Sequence, residues 1–272
     1  MKKNIHKIAV FLDLKESEIN TLKSTLNLAK MINGEVEFFH VKKPTEMIKE
    51  ESQLSAMKTI NDKYFSIEKK IKSFINSVFK DSGIKTNYTV SVGNIESEII
   101  RFIETSHPDI IVLGKRKASP LKFVGDGITQ LVLKKFNGII MIASDKNILD
   151  TQEELSLGLF NNGNQILRTS VAEELLEQSQ KPLKSFKIAN KASNKQVEEA
   201  KIVDKKVVEY VFEKNDTVVK SISSYLSKSK VNLLLMDRQW KGSKEFDMKK
   251  AINNLDVSLL LSGGVKQELQ VN

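Results

Sequence analysis

A chain of 272 residues with 40% hydrophobic content and no cysteine can bury one large or two ordinary cores, and it excludes disulfides, thiolate metal sites and cysteine nucleophiles. A mean hydropathy of -0.27, without a long apolar run, argues against a membrane span. The net charge of +9 falls mostly within residues 1–146, where lysine alternates with glutamate in stretches such as "SIEKKIKSF". Solvated helix faces account for that pattern better than a nucleic-acid site does.

The opening "MKKNIHKIAVFLDLK" imitates a signal peptide, but Asp13 interrupts its apolar stretch too early, so a cytoplasmic location is expected. Lys7–Leu14 then reads as a buried strand. Ile19, Leu22, Leu26, Leu28, Ala29 and Met31 form a helical stripe from Ser17 to Met31, stopped by Asn33 and Gly34. "EVEFFHV" is a second strand, Glu46 to Phe79 one long helix with a lead-in, and "TNYTVSV" a third strand. Asn94 can cap a helix that carries Glu96 and Glu98 in its first turn and Ile95, Ile99, Phe102 and Ile103 on one face. "DIIVLG" is the fourth strand, a helix runs from about Gly127 to Phe136, and "GIIMIAS" is the fifth strand.

The second half repeats this pattern in weaker form. Ile95, Ile99, Phe102 and Ile103 align with Val218, Ile222, Tyr225 and Leu226, and Asp109–Leu113 align with Asn232–Met236, at one constant offset. A domain-sized internal repeat is the simplest explanation. "ELSLGLFNN" would be its first strand and "VSLLLSG" its last, with no counterpart to the long Glu46–Phe79 region. We therefore expect an α/β fold of two doubly wound domains, 1–146 and 147–272. Each would hold a five-stranded, mostly parallel sheet in the order 3-2-1-4-5. The two would form a pseudo-dimer within one chain, packed through their fifth strands, because such edges need covering.

In the order 3-2-1-4-5 the winding reverses between strands one and four, and ligands favour the carboxyl ends of the strands there. Asp13 ends the first strand and Gly114 the fourth. The loop beyond Gly114 is rich in cations, with Lys115, Arg116, Lys117 and Lys122, before Gly125, Asp126 and Gly127 lead into the helix. Glycine admits phosphate close to backbone N–H groups, whereas lysine offers charge in place of that fit.

These residues resemble the universal stress protein family, and the whole chain resembles its tandem form. The resemblance rests on the Asp13 strand, the "FFHV" strand, the glycine-bearing loop and the closing "IIMIA". It covers residues 5–144 well and residues 155–262 mainly in the order of elements. The family motif in ATP-binding members is Gly-x2-Gly-x9-Gly-Ser/Thr. By this resemblance Asp13 would meet adenine, Val41 would flank the base, and Gly114 and Gly127 would be the first and third glycines. Lys117 stands where the second glycine belongs, and Ile128 at the Ser/Thr position, with Thr129 one place late. The tentative nucleotide set is thus Asp13, Val41, Gly114, Lys117, Gly127 and Thr129. In the second half Asp237 takes the place of Gly114, a carboxylate that would repel phosphate, so no ATP site is expected there. Trp240 lies in that loop and reads as a cover for the sheet end or a stacking surface.

The scattered histidines, His6, His40 and His107, mark no metal site, and no catalytic constellation emerges. The expected function is stress-response regulation by binding, with impaired or residual nucleotide binding, no required cofactor and no catalysis. The alternative is an ATP-binding protein with weak ATPase or nucleotide-sensing activity; its crevice would use Asp13 and Asp126, but a Walker-type Lys-Ser/Thr is missing. Expected partners are an adenine nucleotide and an unidentified protein, and a homodimer stays open; membrane and nucleic acid are not expected.

Overall fold

The structure is a computed structural model, and it describes residues 5–14, 18–47, 53–115, 124–150, 154–161, 163–189, 205–239 and 248–263. The first half runs β1 (His6–Phe11), α1 (Ile19–Met31), β2 (Gly34–Lys42), α2 (Pro44–Met47), α3 (Gln53–Phe79), β3 (Thr86–Val92), α4 (Ile95–Ser106), β4 (Ile110–Gly114), α5 (Val124–Lys135) and β5 (Ile139–Ala143). The second half runs β6 (Leu157–Phe160), a 3-10 turn (Ile166–Arg168), α6 (Ser170–Gln178), β7 (Leu183–Ala189), β8 (Val207–Glu213), α7 (Val218–Lys228), β9 (Leu233–Met236), α8 (Met248–Asn254) and β10 (Ser258–Leu261).

The strands form one sheet of ten, in the order β3-β2-β1-β4-β5-β10-β9-β6-β7-β8. This corrects the expectation of two separate five-stranded sheets. The fifth strands do meet, but by main-chain pairing: β5 and β10 run antiparallel, with Met141 opposite Leu260. Two edges with exposed N–H and C=O groups thereby satisfy each other, and a ladder costs less than two covered edges. Every other strand pairing among the described residues is parallel. To either side of the β5–β10 seam the strands follow the same succession, 5-4-1-2-3 when read outwards.

Strand alternation builds two cores, one on each face of the sheet. Ile8, Val10 and Leu12 point to the face covered by α1, α3 and α6, beside Phe38, Ile71 and Leu175. Ala9 and Phe11 point to the opposite face, where α4, α5, α7 and α8 bring Phe102, Val132, Ile222 and Ala251. Each core continues across the seam, joining Ile8 to Leu260 on one face and Ala9 to Leu259 on the other. A fully buried side chain such as Leu22 or Ile71 contributes about 1.5–3 kcal/mol.

Local signals set the helix ends. The Asn94 side chain accepts from Ser97 N–H at 3.1 Å, and Thr169 does the same for α6 from Ala172 N–H at 3.3 Å. α4 stops at His107, whose φ of 45° is left-handed. α5 starts at Val124 instead of Gly127, which puts Gly127 inside its first turn. The long region before β3 divides into α2 and α3. Among the described residues no helix is long and apolar enough to cross a membrane.

Candidate functional site

The pairing of β1 with β2 and β4 brings three of the six sequence-selected residues to one edge of the sheet. Phe11 pairs with Phe39, and Val10 with Val112. Asp13, Val41 and Gly114 therefore emerge side by side just beyond those pairs, where the winding reverses. Val41 is half-buried and packs on the core that holds Phe11, Phe39 and Phe102. The other two described residues, Gly127 and Thr129, lie in the first turns of α5, Gly127 exposed and Thr129 half-buried. Lys117 lies outside the described residues, as do Arg116, Lys122 and Trp240 and the side chain of Asp126.

The two motif glycines have different surroundings. A Cβ on Gly114 would stand 2.6 Å from Thr21 Oγ1, because α1 crosses directly over the end of β4. Helix packing alone thus demands glycine there. Among the described residues nothing lies within 4 Å of a Cβ built on Gly127, and its backbone angle is an ordinary one.

The loop after β1 is closed by a residue the sequence reading passed over. Glu18, at the head of α1, accepts hydrogen bonds on its carboxylate from Asp13 N–H and, at 2.9 Å, from Leu14 N–H. Leu14 has a φ of 58°, a left-handed turn that non-glycine residues adopt only when held. The second half reaches a similar result by another route. The Asp237 carboxylate, just beyond β9, accepts from Gln165 N–H at 3.1 Å and Ile166 N–H at 2.8 Å. An internal anion thus holds main-chain donors in the loop that follows the first strand of each half. A carboxylate beside a helix start was the available signal for Glu18, and the alignment with Gly114 for Asp237.

Lys115 does not add its charge to this crevice. Its ammonium crosses the seam and donates to Leu255 C=O at 2.9 Å, at the end of α8, and lies 3.6 Å from the Asp256 carboxylate. Burial pulls its pKa down, and the charges of Asp256 and Asp145 oppose that pull. Arg238, aligned with Lys115 in the repeat, makes the reciprocal contact. Its guanidinium donates to Phe136 C=O, at the end of α5, and to Gly138 C=O at 2.5 Å. Desolvation lowers its pKa to about 10. Cations at helix carboxyl ends offset unpaired carbonyls and the helix dipole. Lys205 serves α6 in this way, donating to Leu176 and Ser179 C=O. Lys115, Lys205 and Arg238 are thus bound at helix carboxyl ends.

Comparison with known proteins shows what the first half is similar to. The model of the universal stress protein family matches residues 4–137. The first half is thus similar to universal stress protein domains. A universal stress protein from Archaeoglobus fulgidus DSM 4304 has a similar structure, with a TM-score of 0.69 at 15% identity over 94% of this chain and 96% of that one. A functionally unknown protein from Pseudomonas aeruginosa PAO1 follows at a TM-score of 0.57 and 11% identity, over 96% of this chain and 93% of that one. A putative universal stress protein from Pseudomonas aeruginosa UCBPP-PA14 has a TM-score of 0.54 at 11% identity, over 96% and 94%. At such identities the likeness is one of fold, and it extends over both halves. No curated protein matches the sequence significantly. The universal stress protein match ends before β6, so the second half shares the architecture without matching the family model.

Proposed function

We propose that this chain is a regulatory binding protein of the universal stress protein type, in which a degenerate second copy is fused to the first. It works in the cytoplasm by binding, without turnover, and its first-half crevice retains a residual capacity for an adenine nucleotide. The observation that carries this reading is the convergence of Asp13, Val41 and Gly114 at the β1–β4 reversal of a domain similar to universal stress proteins. Gly127, exposed in the first turn of α5, leaves the start of that helix open to a ligand in this reading. The second crevice is inactive in this reading, because Asp237 occupies its main-chain donors. Output passes through the surface to a protein partner, and the fused halves replace the two chains of a dimer.

The test is denaturing extraction of freshly purified protein, with the released small molecules identified by mass spectrometry. Gly127→Val serves as the control, since open space lets the fold accept it. Adenine nucleotide in the extract, lost in the variant, supports the reading. An empty extract, together with no calorimetric binding of ATP or adenosine, refutes the nucleotide part.

A further inference from the structure

We propose that β3 pairs antiparallel with β3 of a second copy of this chain, about a two-fold axis at Thr89. β3 ends the ten-stranded sheet, and among the described residues its only strand partner is β2. The hydrogen bonds to β2 identify the groups left over. Lys85 C=O accepts from Val36 N–H at 2.9 Å, and Gly93 N–H donates to Lys42 C=O at 2.9 Å. Strand alternation therefore turns the N–H and C=O groups of Asn87, Thr89 and Ser91 towards β2 as well. Those of Thr86, Tyr88, Val90 and Val92 point outward. The Tyr88 N–H takes the oxygen of the neighbouring Asn87 side chain at 2.9 Å, a local substitute for a missing strand.

Edge strands are ordinarily blunted by charge, proline or a bulge, and β3 has none of these. Its sequence, TNYTVSV, is uncharged and rich in β-branched residues, and it pairs with β2 without a break from Thr86 to Val92. Asn87 and Val92 are exposed, and the rest of the strand is half-exposed. Flanking charges are paired within the chain, Lys72 with Glu68 at 3.9 Å and Lys85 with Glu35 at 2.8 Å. The opposite edge, β8, carries Glu209 and Glu213, and charge of that kind discourages pairing. Self-complementarity is what commits β3 to a second copy. About Thr89, Tyr88 opposes the partner's Val90, Thr86 opposes the partner's Val92, and Thr89 opposes its own equivalent. Aromatic–β-branched and Thr–Thr pairs are among those that stabilise antiparallel sheets. In this register the outward main-chain groups of one copy meet the outward groups of the other.

The experiment uses the full chain, which has no cysteine, with Thr89→Cys, Ser91→Cys and Val92→Pro as single variants, each checked by a thermal melt. The two Thr89 residues form a non-hydrogen-bonded pair, whose Cα atoms lie about 4.5 Å apart, within disulfide reach. The two Ser91 residues stand about 14 Å apart along the strands, too far to be bridged. Mild oxidation should therefore cross-link Thr89→Cys into a dimer and leave Ser91→Cys unlinked. Val92→Pro removes an outward N–H and no bond to β2. Sedimentation should show the wild type doubling its mass of 30.7 kDa as concentration rises. Val92→Pro should raise the dissociation constant by about tenfold or more. A wild type that stays monomeric, with Thr89→Cys unlinked, overturns the proposal. So does a dimer that Val92→Pro leaves intact, or equal cross-linking at both positions, since the interface or its register is then another. If Val92→Pro fails to fold, the two cysteine variants still decide.

Discussion

Replacement of Arg238 by methionine tests whether the reciprocal cations hold the two halves together. The side chain makes two guanidinium hydrogen bonds, to Phe136 and Gly138 C=O. Bonds of this kind are worth about 1.5–3 kcal/mol each, so their loss costs about 3–6 kcal/mol. Burial of the charge works against them. The fall of its pKa to about 10 equates to about 3 kcal/mol of desolvation. Its Nε finds no partner among the described residues, which adds to that burden. The balance is a loss of at most about 3 kcal/mol in Arg238→Met, or up to about 12 °C in melting temperature for a chain of this size. Lys115→Met should cost less, because Lys146 neutralises Asp256 at 2.7 Å with or without it. Thermal and urea unfolding followed by circular dichroism measure both variants. If Arg238→Met melts at or above the wild-type temperature, desolvation outweighs the contacts, and the seam is held by β5–β10 pairing and the shared cores alone.

Other expectations can be checked alongside. Gly114→Ala should cost about 1–3 kcal/mol by overpacking, and a double-mutant cycle with Thr21→Ala should recover much of it. No coupling in that cycle would mean that Gly114 is needed for something other than the helix above it. Gly127→Ala should raise stability by about 0.5–1 kcal/mol in thermal melts, since it lies exposed in a helix with open space around it. The same variant should weaken nucleotide binding, a trade that a merely structural glycine would not show. Asp256 gives a pH dependence. The hydrogen bond from Lys146 holds its carboxyl below the ordinary 3.8, partly opposed by burial and aided by the charge of Lys115. A folded pKa below the unfolded one contributes stability above about pH 3.8, lost as pH falls through the folded value. Asp256→Asn should therefore melt below the wild type at about pH 7, with the gap closing as acid protonates the folded carboxyl; a constant gap would contradict the ion pair.

The sequence by itself determined every strand of the first half, because near-continuous apolar runs such as Ile110–Leu113 are buried on both faces and read the same in any context. It also determined the cap at Asn94, a local interaction within one turn. Asp13, Val41 and Gly114 were legible as site candidates because each ends a strand. Only the tertiary structure decided how the halves join. Whether two edge strands pack or pair depends on their backbone groups, which no side-chain pattern reports, and β5 with β10 makes one sheet of two. The fate of the cations was equally hidden. Lys115 reads in sequence as one cation of the loop after Gly114, but helix ends from the opposite half lie within reach of it and of Arg238. Gly114 had the same ambiguity, since glycine for a ligand and glycine for Thr21 are one letter. Glu18 was invisible for a related reason: a carboxylate before a helix signals a cap, and only the left-handed turn at Leu14 swings the N–H groups behind it into range.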